Sequence, residues 1–382
     1  MRFTIVSDED IKAGVTTDRY FIWTEKVLKA KGINPKVVAE VTTSDWGILA
    51  GLNDALSLLE GLPIDVYAMP EGALFFPHEP VLTIVGNYLD FARYETALLG
   101  FLCHASAVAT ETFKFKLAAG DRRIYSFGTR RVNPALAAMI ERSAYIGGAD
   151  GVSNYAAEKY LGLKSMGTMP HALIICFGDQ VTAWRSFDEV VDRDVPRTML
   201  IDTYFDEKTE AILAVENVDR VDAVRLDTPS SRRGNLRKII EEIRWELRIR
   251  GKGDVRIFLS GGVKLKDVME LRDIVDAFGV GTSISGARPI DFALDIVERE
   301  GKFVAKRGKR GGMKQVYRDW EVLRDEVRLF NEPPPEGKEP LLQKVIDGGK
   351  LVYEPSMEEA RKLALKQMEI IRKLGREEEF LS

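Results

Sequence analysis

The sequence predicts an α/β protein whose larger part is a barrel-like domain of parallel strands. From Arg122 onward, short apolar runs recur and helical patterns lie between most of them, as is typical of a parallel sheet covered by helices. About seven such runs fall within ~170 residues, which suits a barrel better than a small open sheet. Polar residues and glycines follow most runs, at the strand ends where parallel α/β folds bind their ligands.

The predicted strands of the barrel region share an apolar body and a polar or glycine-rich tail. They cover 124–127, 150–153, 164–168, 199–202, 223–227, 255–260 and 278–283. The helical patterns between them include 135–146, 234–250 and 265–277.

The first hundred residues predict a separate α+β domain. Its strands, at 38–42, 64–68 and 81–85, are separated by glycine and proline, and a long proline-free helix follows over 87–119. We therefore expect domains at 1–105, 106–289 and 290–382. The last of these is expected to be a small appendage, part of which completes the first domain. It contains a helix that opens on a capping box at Ser356.

Composition narrows the function classes. The chain has 382 residues, with 55 Lys or Arg, 59 Asp or Glu and a net charge of -4. The chain is longer than a single hydrophobic core usually organises, so we expect more than one domain. Its mild acidity argues against nucleic-acid binding. Only Cys103 and Cys176 are present, which excludes a disulfide scaffold and a four-thiolate zinc site. Without a signal pattern or an apolar run of roughly 18 residues, we expect a cytoplasmic protein that does not contact membranes.

Two glycine turns predict phosphate binding. Gly261 and Gly262 follow an apolar strand and precede a helix, and Gly279, Gly281 and Thr282 repeat the arrangement at the next strand. Backbone N–H groups in such turns bind phosphate, and the last two strands of a barrel are where such a site is found. The alternative is two tight turns that bind no ligand.

Asp227 and Arg225 lie two positions apart on one predicted strand, and so on the same face of the sheet. A carboxylate at a barrel mouth can accept hydrogen bonds from vicinal ribose hydroxyls and stabilise positive charge on a sugar ring. A helix cap or a surface ion pair is the alternative.

Arg130 and Arg131 follow a Gly-Thr turn, and arginine binds carboxylate or phosphate bidentately. Solvent exposure or a structural salt bridge is the alternative for that pair.

His171 opens an apolar helix directly after Pro170, where it is a candidate nucleophile or proton carrier, although most histidines have no such role. Tyr20 is a candidate for stacking on a flat ring, and a place in the core is the alternative. No group of residues has the spacing of metal ligands, so no protein-held transition metal is expected.

Five short motifs in the barrel region, with one near the N-terminus, resemble those of archaeal-type nicotinate phosphoribosyltransferases, within the type II phosphoribosyltransferase superfamily. The resemblance spans roughly residues 10 to 290. The motifs are Thr-Asp-Arg-Tyr at 17–20, Phe-Gly-Thr-Arg-Arg at 127–131, Gly-Thr-Met-Pro-His at 167–171, Arg-Leu-Asp-Thr at 225–228, Ser-Gly-Gly at 260–262 and Phe-Gly-Val-Gly-Thr at 278–282.

The resemblance implies an N-terminal α/β sandwich and an incomplete α/β barrel. It implies a transferase that joins nicotinate to phosphoribosyl pyrophosphate, giving nicotinate mononucleotide and pyrophosphate in NAD salvage. Mg²⁺ would arrive with phosphoribosyl pyrophosphate, and ATP would be a co-substrate that phosphorylates His171. The protein would form homodimers or assemblies of dimers such as hexamers, in which Tyr20 reaches a neighbouring subunit's site.

The site residues that follow from the motifs have two roles. The catalytic residues are His171 and Asp227. The substrate-binding residues are Tyr20, Phe127, Arg130, Arg131, Thr168, Arg225, Gly261, Gly262, Gly279, Gly281 and Thr282.

Other functions are also compatible with parts of the pattern. A quinolinate phosphoribosyltransferase has the same fold but binds a dicarboxylate, so its pocket needs more cationic groups and its chain is typically shorter. The C-terminal segment and His171 favour nicotinate. A barrel aldolase or isomerase would need a lysine or carboxylate base at a strand end, whereas Lys164 begins its strand. A nucleotide-binding sensor would have no need of Asp227 or His171.

Overall fold

The structure, a computed structural model, describes residues 3–227 and 234–381. Its α-helices are α1 (Asp8–Lys12), α2 (Arg19–Ala30), α3 (Leu52–Leu59), α4 (Tyr88–Phe91), α5 (Glu95–Ala119), α6 (Ala137–Ile146), α7 (Ala156–Leu161), α8 (His171–Phe177), α9 (Gln180–Val190), α10 (Glu207–Asn217), α11 (Leu236–Ile249), α12 (Leu265–Leu271), α13 (Thr282–Ser285) and α14 (Met357–Lys373). Short 3₁₀ turns cover Ala92–Tyr94, Thr129–Arg131, Pro134–Leu136 and Glu377–Phe380.

The strands form two large sheets and two small ones. They are β1 (Lys36–Thr42), β2 (Gly47–Ile48), β3 (Asp65–Ala68), β4 (Leu74–Phe75), β5 (Leu82–Asn87), β6 (Arg123–Ser126), β7 (Gly151–Val152), β8 (Thr198–Leu200), β9 (Ala223–Leu226), β10 (Arg256–Leu259), β11 (Ala277–Val280), β12 (Ala293–Arg299), β13 (Lys302–Phe303), β14 (Lys314–Asp319), β15 (Arg324–Leu329), β16 (Glu339–Pro340), β17 (Gln343–Asp347) and β18 (Lys350–Leu351).

A parallel sheet in the order β7-β6-β11-β10-β9-β8 forms an incomplete barrel, which confirms the predicted α/β class. Strand residues such as Ile124, Val224 and Phe278 are fully buried, as expected for a parallel sheet covered by helices. The common direction of the strands brings their carboxyl ends to one edge.

The expected seventh strand, 164–168, is wrong: within the described residues this sheet has six strands. The segment contributes one isolated bridge, between Ser165 and Val152. The Ser165 amide instead donates to the Glu158 carboxylate at 3.1 Å, as does the Ser165 hydroxyl at 2.5 Å. The Glu158 carboxylate therefore occupies the Ser165 amide, which a neighbouring strand would need as a hydrogen-bond donor.

Two predicted helices are longer than those observed. The helix expected over 87–119 is interrupted by the 3₁₀ turn Ala92–Tyr94, and its long part is α5. The helix expected over 265–277 ends at Leu271, because Ala277 already belongs to β11. The C-terminal helix α14 is capped as predicted, with the Ser356 hydroxyl accepting from the Glu359 amide.

Strands from both ends of the chain build the seven-stranded sheet β13-β12-β1-β5-β3-β17-β18. Strand β1 lies between β5 and β12, and β3 lies between β5 and β17, all antiparallel. Residues after 290 thus contribute to the sheet begun by residues 36–87. The domain boundaries at 105/106 and 289/290 stay a prediction.

No helix within the described ranges is both long and apolar enough to cross a bilayer.

A fully buried arginine joins three parts of the C-terminal region. Arg318, on β14, donates through Nε to Asp325 at 2.8 Å and through Nη1 to Gln367 on α14 at 2.8 Å. Its Nη2 donates to the carbonyl of Leu74, on β4, at 2.6 Å. One guanidinium therefore connects the small sheet β15-β14-β16, the last helix and the N-terminal region.

Replacing this arginine should destabilise the fold. Arg318→Ala leaves the carboxylate of Asp325, 2 % exposed, buried without its cation, and we expect a loss of about 3–5 kcal/mol in unfolding free energy. The measurement is the midpoint of denaturant unfolding by circular dichroism. Arg288→Ala is the control, because that side chain is 88 % exposed and pairs only at the surface. Equal midpoints for both variants would contradict the assigned role.

Candidate active site

Three neighbouring parallel strands bring polar side chains together at one edge of the barrel sheet. Asp202 lies just beyond β8, Asp227 directly follows β9, and Ser260 directly follows β10. The Asp227 amide donates to Asp202 Oδ2 at 2.7 Å, and the Ser260 hydroxyl donates to Asp227 Oδ1 at 3.0 Å. These contacts hold two carboxylates side by side at the strand ends.

The imidazole of His171 faces both carboxylates. Its Nε2 lies 3.6 Å from Asp202 Oδ1 and 3.8 Å from Asp227 Oδ2, while its Nδ1 is 3.1 Å from the Thr203 hydroxyl. His171 is the first residue of α8, so the helix start carries the ring to the sheet edge. A half-exposed imidazole between two acids can exchange protons with a bound molecule.

Asp202 has the more perturbed carboxyl group of the pair. Its side chain is 6 % exposed, and its Oδ1 has no hydrogen-bond partner within the described residues. Burial raises the pKa of Asp202 to about 6; the amide of Asp227 and the charge of His171 oppose the shift, and the charge of Asp227 adds to it. The site thus concentrates negative charge that a bound cationic centre would relieve.

Arg225 adds a buried cation to this edge. It is 8 % exposed, donates through Nη2 to the Met169 carbonyl at 3.3 Å, and lies 3.7 Å from Asp227 Oδ2. Its Nε is buried with no hydrogen-bond partner in the described part of the chain. Burial lowers the pKa of Arg225, Asp227 counteracts this, and nearby Arg130 lowers it further. The positive charge of this guanidinium beside two acids favours an anionic ligand at the same edge.

Close packing joins the ends of β6 and β11. Gly279 lies inside β11 and not in an exposed turn, and a Cβ atom there would lie 2.7 Å from the ring of Phe127. At Gly128, a Cβ atom would lie 2.5 Å from the side chain of Ser285 and 2.7 Å from the carbonyl of Gly281. These glycines allow a close approach that any side chain would prevent.

The remaining predicted residues of the barrel surround the same edge. Arg130 and Arg131 are exposed on the 3₁₀ turn that follows β6, and Thr168 lies just before Met169, the partner of Arg225. Gly261 and Gly262 form an exposed turn after β10 with φ of 91° and 74°, and Thr282 begins α13. The substrate-binding roles of these residues stay a prediction. Thr228, in the Arg-Leu-Asp-Thr motif, lies outside the described residues.

Tyr20 is not brought to this edge within one chain. It is 55 % exposed on α2, with its ring 4.4 Å from that of Phe21, and its hydroxyl lies near Glu95 and Tyr88 of the N-terminal region. Tyr20 therefore does not belong to the core.

Asp202 is the main site residue that sequence reasoning missed. Asp202 ends a predicted strand, as Asp227 does, so its position in the sequence already made it a candidate site residue. Glu210 on α10 had no such signal. Its carboxylate accepts from the amides of Thr203, Tyr204 and Phe205 at 2.7–3.1 Å, and so fixes the loop that carries the partner of His171.

The raised pKa of Asp202 predicts a pH-dependent stability. The folded carboxyl holds its proton up to about pH 6, against an ordinary value of 3.8. Its contribution to stability is therefore complete below pH 3.8 and is lost as pH rises through about 6. We expect Asp202→Asn to lack this loss, of up to about 3 kcal/mol. Denaturant unfolding between pH 4 and 8 measures it, with exposed Asp291→Asn as control. Parallel curves for the wild type and Asp202→Asn would contradict it.

Two family models match the chain. The model described as "Quinolinate phosphoribosyl transferase, N-terminal domain" matches residues 16–106, and the corresponding C-terminal domain model matches residues 108–295. Among curated proteins, "Nicotinate phosphoribosyltransferase pncB2" of Mycobacterium tuberculosis is 30% identical over 329 residues, covering 80% of this chain and 69% of that protein.

Solved structures give a closer match. A nicotinate-nucleotide pyrophosphorylase from Pyrococcus furiosus superposes with a TM-score of 0.95 and 52% identity, over 97% of this chain and 99% of that one. The human nicotinic acid phosphoribosyltransferase has a TM-score of 0.73 and 20% identity over 93% and 94% of the two chains, which shows a shared fold alone.

These comparisons overturn the prediction of a nicotinate phosphoribosyltransferase. The 52%-identical protein is a nicotinate-nucleotide pyrophosphorylase, both family models are quinolinate phosphoribosyl transferase domains, and the nicotinate enzymes are more distant. The C-terminal segment does not favour nicotinate, because the pyrophosphorylase matches 97% of this chain. The motifs in the sequence are assigned to ribose and phosphate, which both reactions share, so that assignment cannot separate the two.

The barrel edge, both family models and the curated relatives agree at the level of the superfamily. The chain belongs to the type II phosphoribosyltransferase superfamily, and it is a phosphoribosyltransferase.

Proposed function

We propose that this phosphoribosyltransferase is decarboxylating and acts on quinolinate. Quinolinate and phosphoribosyl pyrophosphate would give nicotinate mononucleotide, carbon dioxide and pyrophosphate. The observation that carries the proposal is the 52% identity with the Pyrococcus furiosus nicotinate-nucleotide pyrophosphorylase, over nearly the whole of both chains.

The cationic groups at the barrel edge support a dicarboxylate substrate. Arg225 is buried with a free Nε, and Arg130 lies close enough to lower its pKa. Arg131 is exposed on the same 3₁₀ turn as Arg130. Two carboxylates on one pyridine ring need at least two guanidinium partners, because an unpaired carboxylate in a closed site is costly.

The paired acids favour a ribose bound above them. The pyridine nitrogen attacks the anomeric carbon as pyrophosphate leaves, and positive charge develops on the sugar ring. Asp227, held by the Ser260 hydroxyl, would accept hydrogen bonds from the ribose hydroxyls, and with Asp202 would stabilise that charge. Their effect is greatest in the transition state, which is the condition for catalysis.

The phosphate groups would bind at the exposed turn of Gly261 and Gly262 and at the end of β11. In residues 3–227 and 234–381 no three His, Cys, Asp or Glu side chains are grouped to hold a metal ion. We therefore propose that Mg²⁺ comes bound to pyrophosphate oxygens and water, with the free Oδ1 of Asp202 as the available protein ligand. The ion would offset the charge of the leaving pyrophosphate.

Loss of carbon dioxide then completes the reaction. Joining the ribose makes the ring nitrogen cationic, and this charge stabilises the electron pair that stays on the adjacent ring carbon when the carboxylate departs as carbon dioxide. That carbon finally takes up a proton. His171, hydrogen-bonded to Thr203 and facing two acids, is placed to deliver it. ATP coupling through a phosphorylated His171, expected from the resemblance to the nicotinate enzymes, is untested, and the decarboxylating reaction proposed here does not need it.

A second copy of the chain would complete the site. On α2, Tyr20, Trp23 and Val27 share one helix face and are 55–62 % exposed. Exposed apolar groups of this size mark contact surfaces. In a homodimer or an assembly of dimers, we propose that this face covers the neighbour's barrel edge and that Tyr20 stacks on the pyridine ring.

A product assay tests the activity. The purified chain is supplied with phosphoribosyl pyrophosphate, Mg²⁺ and either quinolinate, nicotinate or nicotinamide, each with and without ATP. We expect nicotinate mononucleotide and an equal amount of carbon dioxide from quinolinate, with no stimulation by ATP. Product from nicotinate and none from quinolinate would refute the proposal.

Asp227→Asn should lower turnover much more than it weakens pyridine binding. Removing the charge while keeping the shape costs the transition state a stabilising contact, so we expect kcat to fall roughly 100-fold or more with a small change in the quinolinate KM. Steady-state kinetics measure both constants, and exposed Asp254→Asn is the control. If kcat stays within threefold of the wild type, Asp227 has no part in the chemistry.

A further inference from the structure

A buried acid lies behind the turn that carries the two exposed arginines. Glu141, on α6, is fully buried. Its Oε1 accepts from the backbone amide of Asn154, which follows β7, at 3.1 Å. Its Oε2 and the Oγ of Ser126, the last residue of β6, are both buried with no hydrogen-bond partner in the described ranges. A carboxyl group shielded from solvent therefore accepts from the segment that follows β7 and lies near the end of β6.

Hydrogen bonds lead from this acid to the arginine turn. The side-chain amide of Asn154 donates to the Thr129 hydroxyl at 3.0 Å. Thr129 is 8 % exposed and begins the 3₁₀ turn Thr129–Arg131. Each link is a part-buried hydrogen bond, so displacement of Asn154 is expected to move the backbone from which both arginines extend.

The surroundings of Glu141 favour its neutral form. Burial raises the pKa of Glu141 to about 7, while the hydroxyls of Ser126 and Thr129 and the amides of Ser153 and Asn154 oppose the shift. The adjacent cation, Arg142, is engaged in a bidentate pair with Glu71, at 2.7 Å for each bond. A neutral carboxyl can accept from Asn154 and also donate to Ser126, a pair of roles that glutamine shares.

We propose that Glu141 is a positioning residue for the two anionic substrates: acting through Asn154 and Thr129, it holds Arg130 and Arg131 where they bind phosphoribosyl pyrophosphate and the quinolinate carboxylates. Glu141 touches neither substrate nor reacting atoms. The inference rests on the proposed function for the identity of the ligand, and it adds a residue that lies outside every motif in the sequence.

The test measures binding of phosphoribosyl pyrophosphate alone by titration calorimetry, together with kcat and KM. We expect Glu141→Ala to weaken binding and raise KM at least tenfold, with kcat changed less than threefold. Glu141→Gln should restore both constants to within threefold of the wild type. Glu79→Gln is the matched control, since Glu79 is a buried acid remote from the barrel edge, and it should leave binding unchanged.

Thr129→Val provides a second route if Glu141→Ala fails to fold, because it leaves Glu141 in place and removes the hydroxyl that accepts from the Asn154 side chain. We expect the same tenfold loss of binding. The proposal is overturned if folded Glu141→Ala binds as the wild type does, if Glu141→Gln is as impaired as Glu141→Ala, or if Thr129→Val binds normally. A wild-type protein that binds phosphoribosyl pyrophosphate but makes no product from quinolinate refutes the proposed function and leaves this inference standing.

Discussion

The site depends on the contact between the Asp227 amide and the Asp202 carboxylate, 2.7 Å long, across two neighbouring strand ends. Burying one acid beside another is unfavourable, and the cost is met by backbone amides, a serine hydroxyl, an imidazole and a buried guanidinium. The parallel sheet makes this possible, because it delivers all of these groups to one edge from separate segments of the chain. The result is a preorganised anionic surface beside buried positive charge.

The same edge explains why a family can be identified more readily than a substrate. In the proposed function the acids and the glycine turns bind ribose and phosphate, which both candidate reactions share, so these residues would carry no information about the pyridine. Discrimination between one carboxylate and two falls to a few cations whose side chains are long and whose positions depend on their surroundings. Arg225 is fixed by burial, whereas Arg130 and Arg131 extend from a short turn. If the proposed function holds, substrate choice in this protein would depend on how that turn is supported.

Much of the fold follows from local pattern, and the exceptions have physical causes. Buried apolar runs ending in Asp227 and Gly261 identify strands and their functional ends without tertiary information. Segment 164–168 has a strand-like composition, but Glu158 captures the amide of Ser165. Gly279 resembles a turn glycine in the sequence, but in the structure its lack of a side chain makes room for the ring of Phe127. Phe127 is distant from Gly279 in sequence and only folding brings the two together. Glu158 is only seven positions from Ser165, and there a local side chain competes with strand pairing.

The seven-stranded sheet has a consequence for how the protein is made. Strand β1 pairs with β12, and β3 pairs with β17, so each depends on a partner more than two hundred and fifty positions away. During synthesis, these two strands emerge from the ribosome long before their partners exist, leaving hydrogen-bonding edges open while the barrel segment is translated. The sheet can therefore close only after residues 343–347 have been translated, and until then its unpaired strand edges are open to pairing with other chains.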